Sequence, residues 1–298
     1  MTAALWAGGA GAETLRLAVF HADLERDGPG LLLRDIERGE DAQIAASLAT
    51  VAAVDPDVLL LLGFDYDAGL VALTAYAEAL RTVGTPYPHL FALRPNSGRA
   101  SGVDFDGDGV LHEPEDNHGY GWFSGEGGMA LLSRVPIGAA RDFSDMLWRD
   151  LPGSSAPEVL SDDALDVIRL SSMAIWDVAL ETDAGALHIL AIHATAPVFD
   201  GPEDRNGLRN RDEIGFLLRY LDGWAPDGAP LSADPVTVMG TFNVDPDRGE
   251  GLRDTLLPLL AHPRLQDPRP ERPGGGTETV DWADPTPGDL RVDYVLPA

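Results

Sequence analysis

The chain has 298 residues, 44% of them hydrophobic, with no cysteine and a formal net charge of −28 at a sequence pI near 4.3. All 21 of its basic side chains are arginine, so lysine Schiff bases, P-loop lysines, disulfides, thiol catalysis and cysteine-ligated zinc are excluded. So acidic a surface argues against bulk nucleic acid as a partner, and no apolar run is long enough to span a membrane.

Met1–Ala12 is small and apolar and lacks a basic leader region. Residues 1–13 are expected to be a flexible start, with the remnant of a trimmed export signal as the alternative. Residues 14–298 contain no linker or repeat and are read as one domain. Thr14–Phe20 has the pattern of a strand, with His21 at its tip. Ala42–Ala53 has helical apolar spacing and stops before Asp55-Pro56. Asp57–Phe64 is a continuous apolar run, as in a central strand buried on both faces. Asp65 and Asp67 follow it. Ala68–Val83 is a second helix, stopped by Gly84 and Pro86, and His89–Leu93 is a third strand. This β-α-β-α-β opening predicts an α/β fold.

Arg94–Glu126 is long, irregular and rich in Gly, Asp and Pro, and such loops usually carry a function. Within it, Asp104, Asp106 and Asp108 alternate, Gly109 permits a sharp turn, Val110 offers a carbonyl and Glu115 can bind with both oxygens. This is the pattern of a Ca2+ loop, because a hard cation needs several oxygens wrapped around it. The flanks are not helical, so it is no ordinary EF-hand. The expected role is structural, and a solvated acidic turn is the alternative.

Gly128–Ile137 is a strand ending at proline, and Trp148 is read as a packing residue. Ile175–Glu181 and Leu187–Ile192 form a hairpin across Asp183-Ala-Gly185, with His193 at the tip of the second strand. Asp200 is expected to cap a helix with Pro202 in its first turn, running to about Trp224 with Ile214, Leu217, Leu218 and Leu221 on its apolar face. Arg205 and Arg209 lie four apart on one face, as do Asn206 and Asn210. The arginines either hold a phosphate or pair with Glu203, Asp212 and Glu213. Pro235–Met239 is a buried strand that ends in Gly240-Thr-Phe-Asn-Val-Asp-Pro246. Gly251–Leu260 is a helix, His262–Asp289 is irregular, and Leu290–Leu296 closes the chain as a strand containing Asp293. Polar strand ends spread this widely converge in only a few folds.

Read in order, Ala18-Val-Phe20, Pro56-Asp-Val-Leu-Leu60, Gly128-Met-Ala-Leu-Leu-Ser-Arg-Val-Pro-Ile137, His193 with Pro197, Gly240-Thr-Phe-Asn-Val-Asp-Pro246 and Arg291-Val-Asp-Tyr-Val-Leu296 resemble the endonuclease/exonuclease/phosphatase superfamily of metal-dependent phosphoesterases. Leu24–Ile36, Phe64-Asp-Tyr-Asp67, Asp104–Gly109 and Val198–Ile214 look like one bacterial branch of it. The resemblance implies a four-layer α/β sandwich, two packed mixed β-sheets flanked by helices. It also implies a divalent ion, Mg2+ or Mn2+, that polarises a phosphoryl oxygen while histidines stabilise the phosphate. His193, Asn243, Asp293 and His21 are then the catalytic candidates. Arg205, Asn206, Arg209 and Tyr294 are the substrate-binding ones.

The sequence departs from the family pattern where it matters most. Gly63 stands where the metal-binding glutamate is expected, and Thr241 where the glycine-aspartate-x-asparagine aspartate is expected. Asp65, two residues on, could return a carboxylate to the face of position 63, unless Asp65 and Asp67 only cap the next helix. Asp245 and Asp247 could reach the metal from their loop. His21, His193 and Asp293 could instead make a softer site for zinc or manganese. The expectation is a phosphoesterase with an altered metal site, acting on a small or lipid-like phosphoester. The alternative is a member that has lost hydrolysis and binds a ligand or partner, with calcium as a structural ion. A calcium loop suits a periplasmic or secreted protein, with the cytoplasm as the alternative.

Overall fold

Side-chain alternation along each strand explains why both sheets are covered on both faces. The computed structural model describes residues 14–232, 234–283 and 286–298, so the segment expected to be flexible lies outside the described residues. The first sheet holds β1 (Leu17–His21), β2 (Val58–Phe64), β3 (His89–Phe91) and β4 (Gly128–Ser133) in the order β1-β2-β4-β3. In it β1 and β2 run parallel and β4 is antiparallel to both its neighbours. The second holds β5 (Ile137–Asp142), β6 (Ala174–Thr182), β7 (Gly185–His193), β8 (Val236–Thr241) and β9 (Asp293–Pro297) in chain order. There β7 and β8 are parallel and the other pairs antiparallel.

All seven residues of β2 are buried. Val58, Leu60 and Leu62 point between the sheets, against Met129, Leu131, Trp176, Val178, Ala191 and Met239. Leu59 and Leu61 point the other way, onto α1 (Leu31–Arg38), α2 (Ala42–Val54) and α3 (Val71–Thr82) through Ile36, Ile44, Leu73, Tyr76 and Leu80. Two single turns, α4 (Ala156–Val159) and α5 (Asp162–Leu165), precede α6 (Arg205–Leu221) and α7 (Leu256–Leu260). The last two cover the outer face of the second sheet, where Leu190, Ile192, Val236 and Val238 meet Ile214, Leu217, Leu256 and Leu259. Helices, sheet, sheet and helices make the four layers. Each fully buried leucine stabilises this arrangement by about 1.5–3 kcal/mol.

The differences from the sequence reading are local. Helix α6 starts at Arg205 rather than Pro202, because Asp204 takes a left-handed conformation (φ 54°) at its N-cap. Asp200 still serves the helix, accepting from the Asn206 N–H at 2.5 Å. Strand β5 has an exposed edge, and its Gly-Ala-Ala core has no apolar alternation to betray it. Helix α1 (Leu31–Arg38) lies in a segment to which the sequence reading assigns no element.

Candidate active site at the strand tips

Four strands carry their inward-facing row one residue past the apolar core. In β1 the row of Leu17 and Val19 ends at His21; in β7 that of Ile189 and Ala191 ends at His193. In β8 Met239 is followed by Thr241, and in β9 Val295 is preceded by Asp293. The register places His193 opposite Thr241 and Thr241 opposite Asp293, so the three stand side by side on one face. His21 arrives from the other sheet, its ring edge-on to His193 at 5.2 Å. Gly240 makes this close packing possible, because a Cβ there would lie 1.8 Å from the Ile192 carbonyl oxygen. Asn243, in the left-handed region at φ 54°, donates to the Ala194 carbonyl at 2.8 Å and accepts from Thr241 Oγ1 at 3.3 Å. Its amide therefore fixes the loop that follows β8.

Burial sets the protonation of the tip. It pushes the His193 imidazole down to about 3, with His21 adding to the effect, so the ring is neutral at physiological pH. Burial also raises the Asp293 carboxyl, opposed by Thr241, His21 and Thr279. His21 Nε2 lies 3.3 Å from Asp23 Oδ1.

One acidic residue at this tip has no counterpart in the sequence reading. Gly63 sits at a β-bulge between Leu62 and Phe64 with φ 66°. A Cβ at this glycine would lie 2.9 Å from Glu25 Oε2 and 2.9 Å from His21 Cδ2. Glu25, on the loop after β1, thus fills the space a side chain at 63 would need. Its carboxyl is raised by burial, with Asp23 and Glu126 adding and His21 opposing. Glu25 Oε2, Asp293 Oδ1 and His193 Nδ1 are buried without hydrogen-bond partners. Buried carboxylate oxygens without donors are costly alone and are what a hard divalent cation requires. Glu25 and Asp293 are the residues here that could hold one, with water completing the shell, since among the described residues they form no group with a third His, Asp or Glu whose ligand atoms all lie within 4.8 Å.

Other candidates are occupied elsewhere. Asp65 is 5% exposed, and its oxygens accept from Gly127 N–H at 3.1 Å and Arg26 N–H at 3.0 Å. The bulge breaks the alternation that was to bring it onto the face of position 63. Burial pushes its carboxyl up to about 6. Asp67 does cap α3, accepting from Gly69, Val71 and Ala72 N–H groups. Asp245 accepts from the N–H groups of Asp247, Arg248 and Arg291 at 2.7–2.8 Å; both its oxygens are engaged in tying two loops together. The Tyr294 hydroxyl, buried, donates to the Val244 and Arg291 carbonyls, both at 2.9 Å, and its ring stacks on Phe242. It is a core residue rather than a substrate contact.

The arginines expected to hold phosphate behave likewise. Arg209 is 3% exposed and donates to the carbonyls of Leu170, His118 and Arg169. Burial pushes its guanidinium down to about 10, still charged at neutral pH. Arg205 lies over the Phe105 ring, 4.4 Å from its centroid, and donates to the Phe105 carbonyl at 2.7 Å. Asn206 donates to the Val198 carbonyl at 2.8 Å. Beneath the site, Glu213 accepts from Ser172 N–H at 2.9 Å and Thr195 N–H at 2.5 Å. Asn210 joins the ends of β7 and β8 by donating to the Thr195 and Phe242 carbonyls. Both fall on the stripe of Ile214, Leu217 and Leu221, a spacing that marks them as buried.

In the acidic loop, carboxylate oxygens of Asp104, Asp106 and Asp108 lie within 4.8 Å of one another. Asp104 accepts from Gly107 and Gly109 N–H groups, and Asp108 from that of Val110. Glu115, in a short 3-10 turn (Pro114–Asp116), is exposed and outside this group. Its neighbour Asp116 closes the loop instead, accepting from the Phe105 N–H at 2.8 Å.

Residues 37–298 match the model of the Endonuclease/Exonuclease/phosphatase family, and the chain belongs to that family. No curated protein sequence matches the chain. Among solved structures, sphingomyelinase C from Streptomyces griseocarneus is similar with a TM-score of 0.55 at 19% identity, over 96% of this chain and 84% of that one. An endonuclease/exonuclease/phosphatase from Beutenbergia cavernae DSM 12333 gives 0.56 at 20% identity, over 95% of this chain and 64% of that one. A β toxin mutant from Staphylococcus aureus with bound magnesium ions gives 0.52 at 14% identity, over 95% and 83%. At such identities the likeness is one of fold.

Proposed function

We propose that the chain, one domain from residue 14 to 298, is a divalent-metal-dependent phosphoesterase with an altered metal site, acting on a small or lipid-like phosphoester. The observation that carries this reading is that three polar atoms without partners, Glu25 Oε2, Asp293 Oδ1 and His193 Nδ1, are buried on residues at the same end of the two sheets. Mg2+ or Mn2+ fits such a set, because these ions take one or two carboxylates and leave room for water and phosphate oxygens. A bound ion supplies polarisation of a phosphoryl oxygen and charge for the transition state. The chain's own groups do the rest. His193, neutral, offers an N–H to a phosphoryl oxygen or to the leaving oxygen. With Glu25 holding the ion, Asp293, its proton affinity raised by burial, is left as the base that orients and deprotonates water. His21 holds the His193 ring edge-on, and Asn243 fixes the loop beside them.

A lipid-like substrate is supported by a cleft of about 470 Å³ lined by Leu15, Leu17, Val19, Pro268 and Pro297, with Asp293 on its wall. It is supported also by the likeness to a sphingomyelinase. Ca2+ at Asp104, Asp106 and Asp108 would pin the long loop, and a secreted or periplasmic location follows from such a site. The acidic surface disfavours bulk nucleic acid. The test is hydrolysis of bis-p-nitrophenyl phosphate and p-nitrophenyl phosphate with Mg2+, Mn2+, Zn2+ or Ca2+, wild type against His193→Ala. Turnover that needs a metal and falls by at least about 100-fold in the variant is expected. No turnover above the variant's background with any ion would overturn the hydrolase reading in favour of a binding protein.

A further inference from the structure

Every acidic side chain around Gly63 except one is accounted for. Both Asp65 oxygens accept backbone N–H groups. Glu126 Oε2 accepts from Trp122 N–H at 2.5 Å. Asp23 is 71% exposed and faces His21. Of these four acids only Glu25 has a buried oxygen with no donor, and this oxygen lies against the space that the missing Cβ of Gly63 leaves. The 8%-exposed His193 ring, edge-on to His21, presents a second unpartnered atom, Nδ1. An anion and a neutral imidazole, both without partners and both against one histidine, mark the position of a missing ligand rather than a packing defect.

We infer that Glu25 is the carboxylate that anchors the divalent cation, supplied from the β1 loop instead of the end of β2, and that Gly63 is the residue that admits it. The inference deepens the hydrolase reading above and rests on it for the role of the ion. It explains two features together. A glycine at 63 removes the carboxylate expected at that position, and its lack of a side chain lets another carboxylate enter the same space. The φ of 66° at this residue keeps side chains out of it. Gly63 and Glu25 are therefore one device. Either change, loss of the carboxylate or return of a Cβ, empties the site.

The test is Mn2+ titration of the full chain, followed by the EPR signal of free Mn2+, in an Asp104→Ala/Asp106→Ala background that removes the acidic loop as a competing site. The parent is expected to bind one Mn2+. Glu25→Gln should raise Kd by at least about tenfold, Glu25→Asp by less, and Asp65→Asn by less than about twofold. Melting in EDTA should leave Glu25→Gln at or above the parent, since a buried charge without a partner is removed. Gly63→Ala should weaken Mn2+ binding although it removes no oxygen. Its φ makes folding uncertain, so Glu25→Gln decides. A Kd for Glu25→Gln within twofold of the parent would overturn the assignment and leave the hydrolase reading standing. A parent that binds Mn2+ but hydrolyses neither p-nitrophenyl ester would do the reverse. A parent without Mn2+ affinity would overturn both.

Discussion

Arg209 separates a structural arginine from a phosphate-binding one. Its guanidinium donates to three buried carbonyls, those of Leu170, His118 and Arg169, and its charge opposes the burial of Glu213. Replacement by methionine keeps much of the volume and deletes every donor. Three lost hydrogen bonds at about 1 kcal/mol each give about 3 kcal/mol. Leaving a buried carboxylate without its counter-charge costs about 3–5 kcal/mol. The two overlap, because part of the value of those bonds is that they hold the charge in place, so Arg209→Met should cost about 4 kcal/mol. At roughly 2–4 °C per kcal/mol for a domain of about this size, the melting temperature should fall by about 12 °C. Circular dichroism melting and steady-state hydrolysis of bis-p-nitrophenyl phosphate, assayed well below the melt, read the two properties separately. KM should stay at the wild-type value. A melting temperature within 2 °C of wild type together with a raised KM would refute the reasoning and return Arg209 to the substrate.

Asp104→Ala with Asp106→Ala should lower the melting temperature in calcium and leave it unchanged in chelator; equal shifts in both buffers would sink the calcium reading. His118 is pushed down to about 4 by burial and by Arg169, Arg209 and Arg99, so between pH 6.5 and 4 the unfolded chain takes up a proton that the folded chain refuses. Its contribution to stability is full above about pH 6.5 and falls with pH, by about 2 kcal/mol at pH 5. Urea unfolding of wild type minus His118→Gln at pH 7.5 and pH 5 should show that difference, and parallel pH dependences would exclude it. Asp245→Ala removes the acceptor for three backbone N–H groups and should cost about 3 kcal/mol, read as a lower urea midpoint; a metal ligand would instead change Mn2+ affinity with little effect on the midpoint.

The layers were legible because β2 is apolar without a break and β6 and β7 are joined by a good hairpin turn. Strand-end reasoning also found the row of His193 and Asp293, since a strand's period of two carries its inner face past the core unaltered. It failed where the period breaks. The bulge at Gly63 spoils the inference from position 63 to Asp65, and the lone glycine inside an apolar strand was its available mark. Glu25 was invisible for a different reason: it lies on a loop, and only the empty volume beside Gly63 explains where its carboxylate goes. Arg209 was misread because an arginine four residues from another on a helix looks the same whether its face meets solvent or carbonyls. The companions Asn210 and Glu213, on the stripe of Ile214 and Leu217, were the available clue to burial.

Charge supplies the remaining step. Lysine is absent, and the arginines nearest the tip are engaged: Arg26 with Asp35 and Asp41, Arg291 with Asp267, Arg248 with Glu278, Arg205 against Phe105. His193 is uncharged. A phosphoester arriving at the tip therefore meets Asp23, Glu25 and Asp293 and no permanent cation among the side chains named here. At 4 Å and an effective dielectric of 20, each like-charge pair costs about 4 kcal/mol, more than the hydrogen bonds of one neutral imidazole and one hydroxyl return. The carboxylates cannot simply stay protonated, because a protonated acid neither attracts phosphate nor activates water. One divalent cation resolves both difficulties, neutralising the carboxylates and presenting positive charge to the ester. On this reasoning removal of metal should abolish substrate binding as well as turnover, and raising ionic strength should not substitute for the ion.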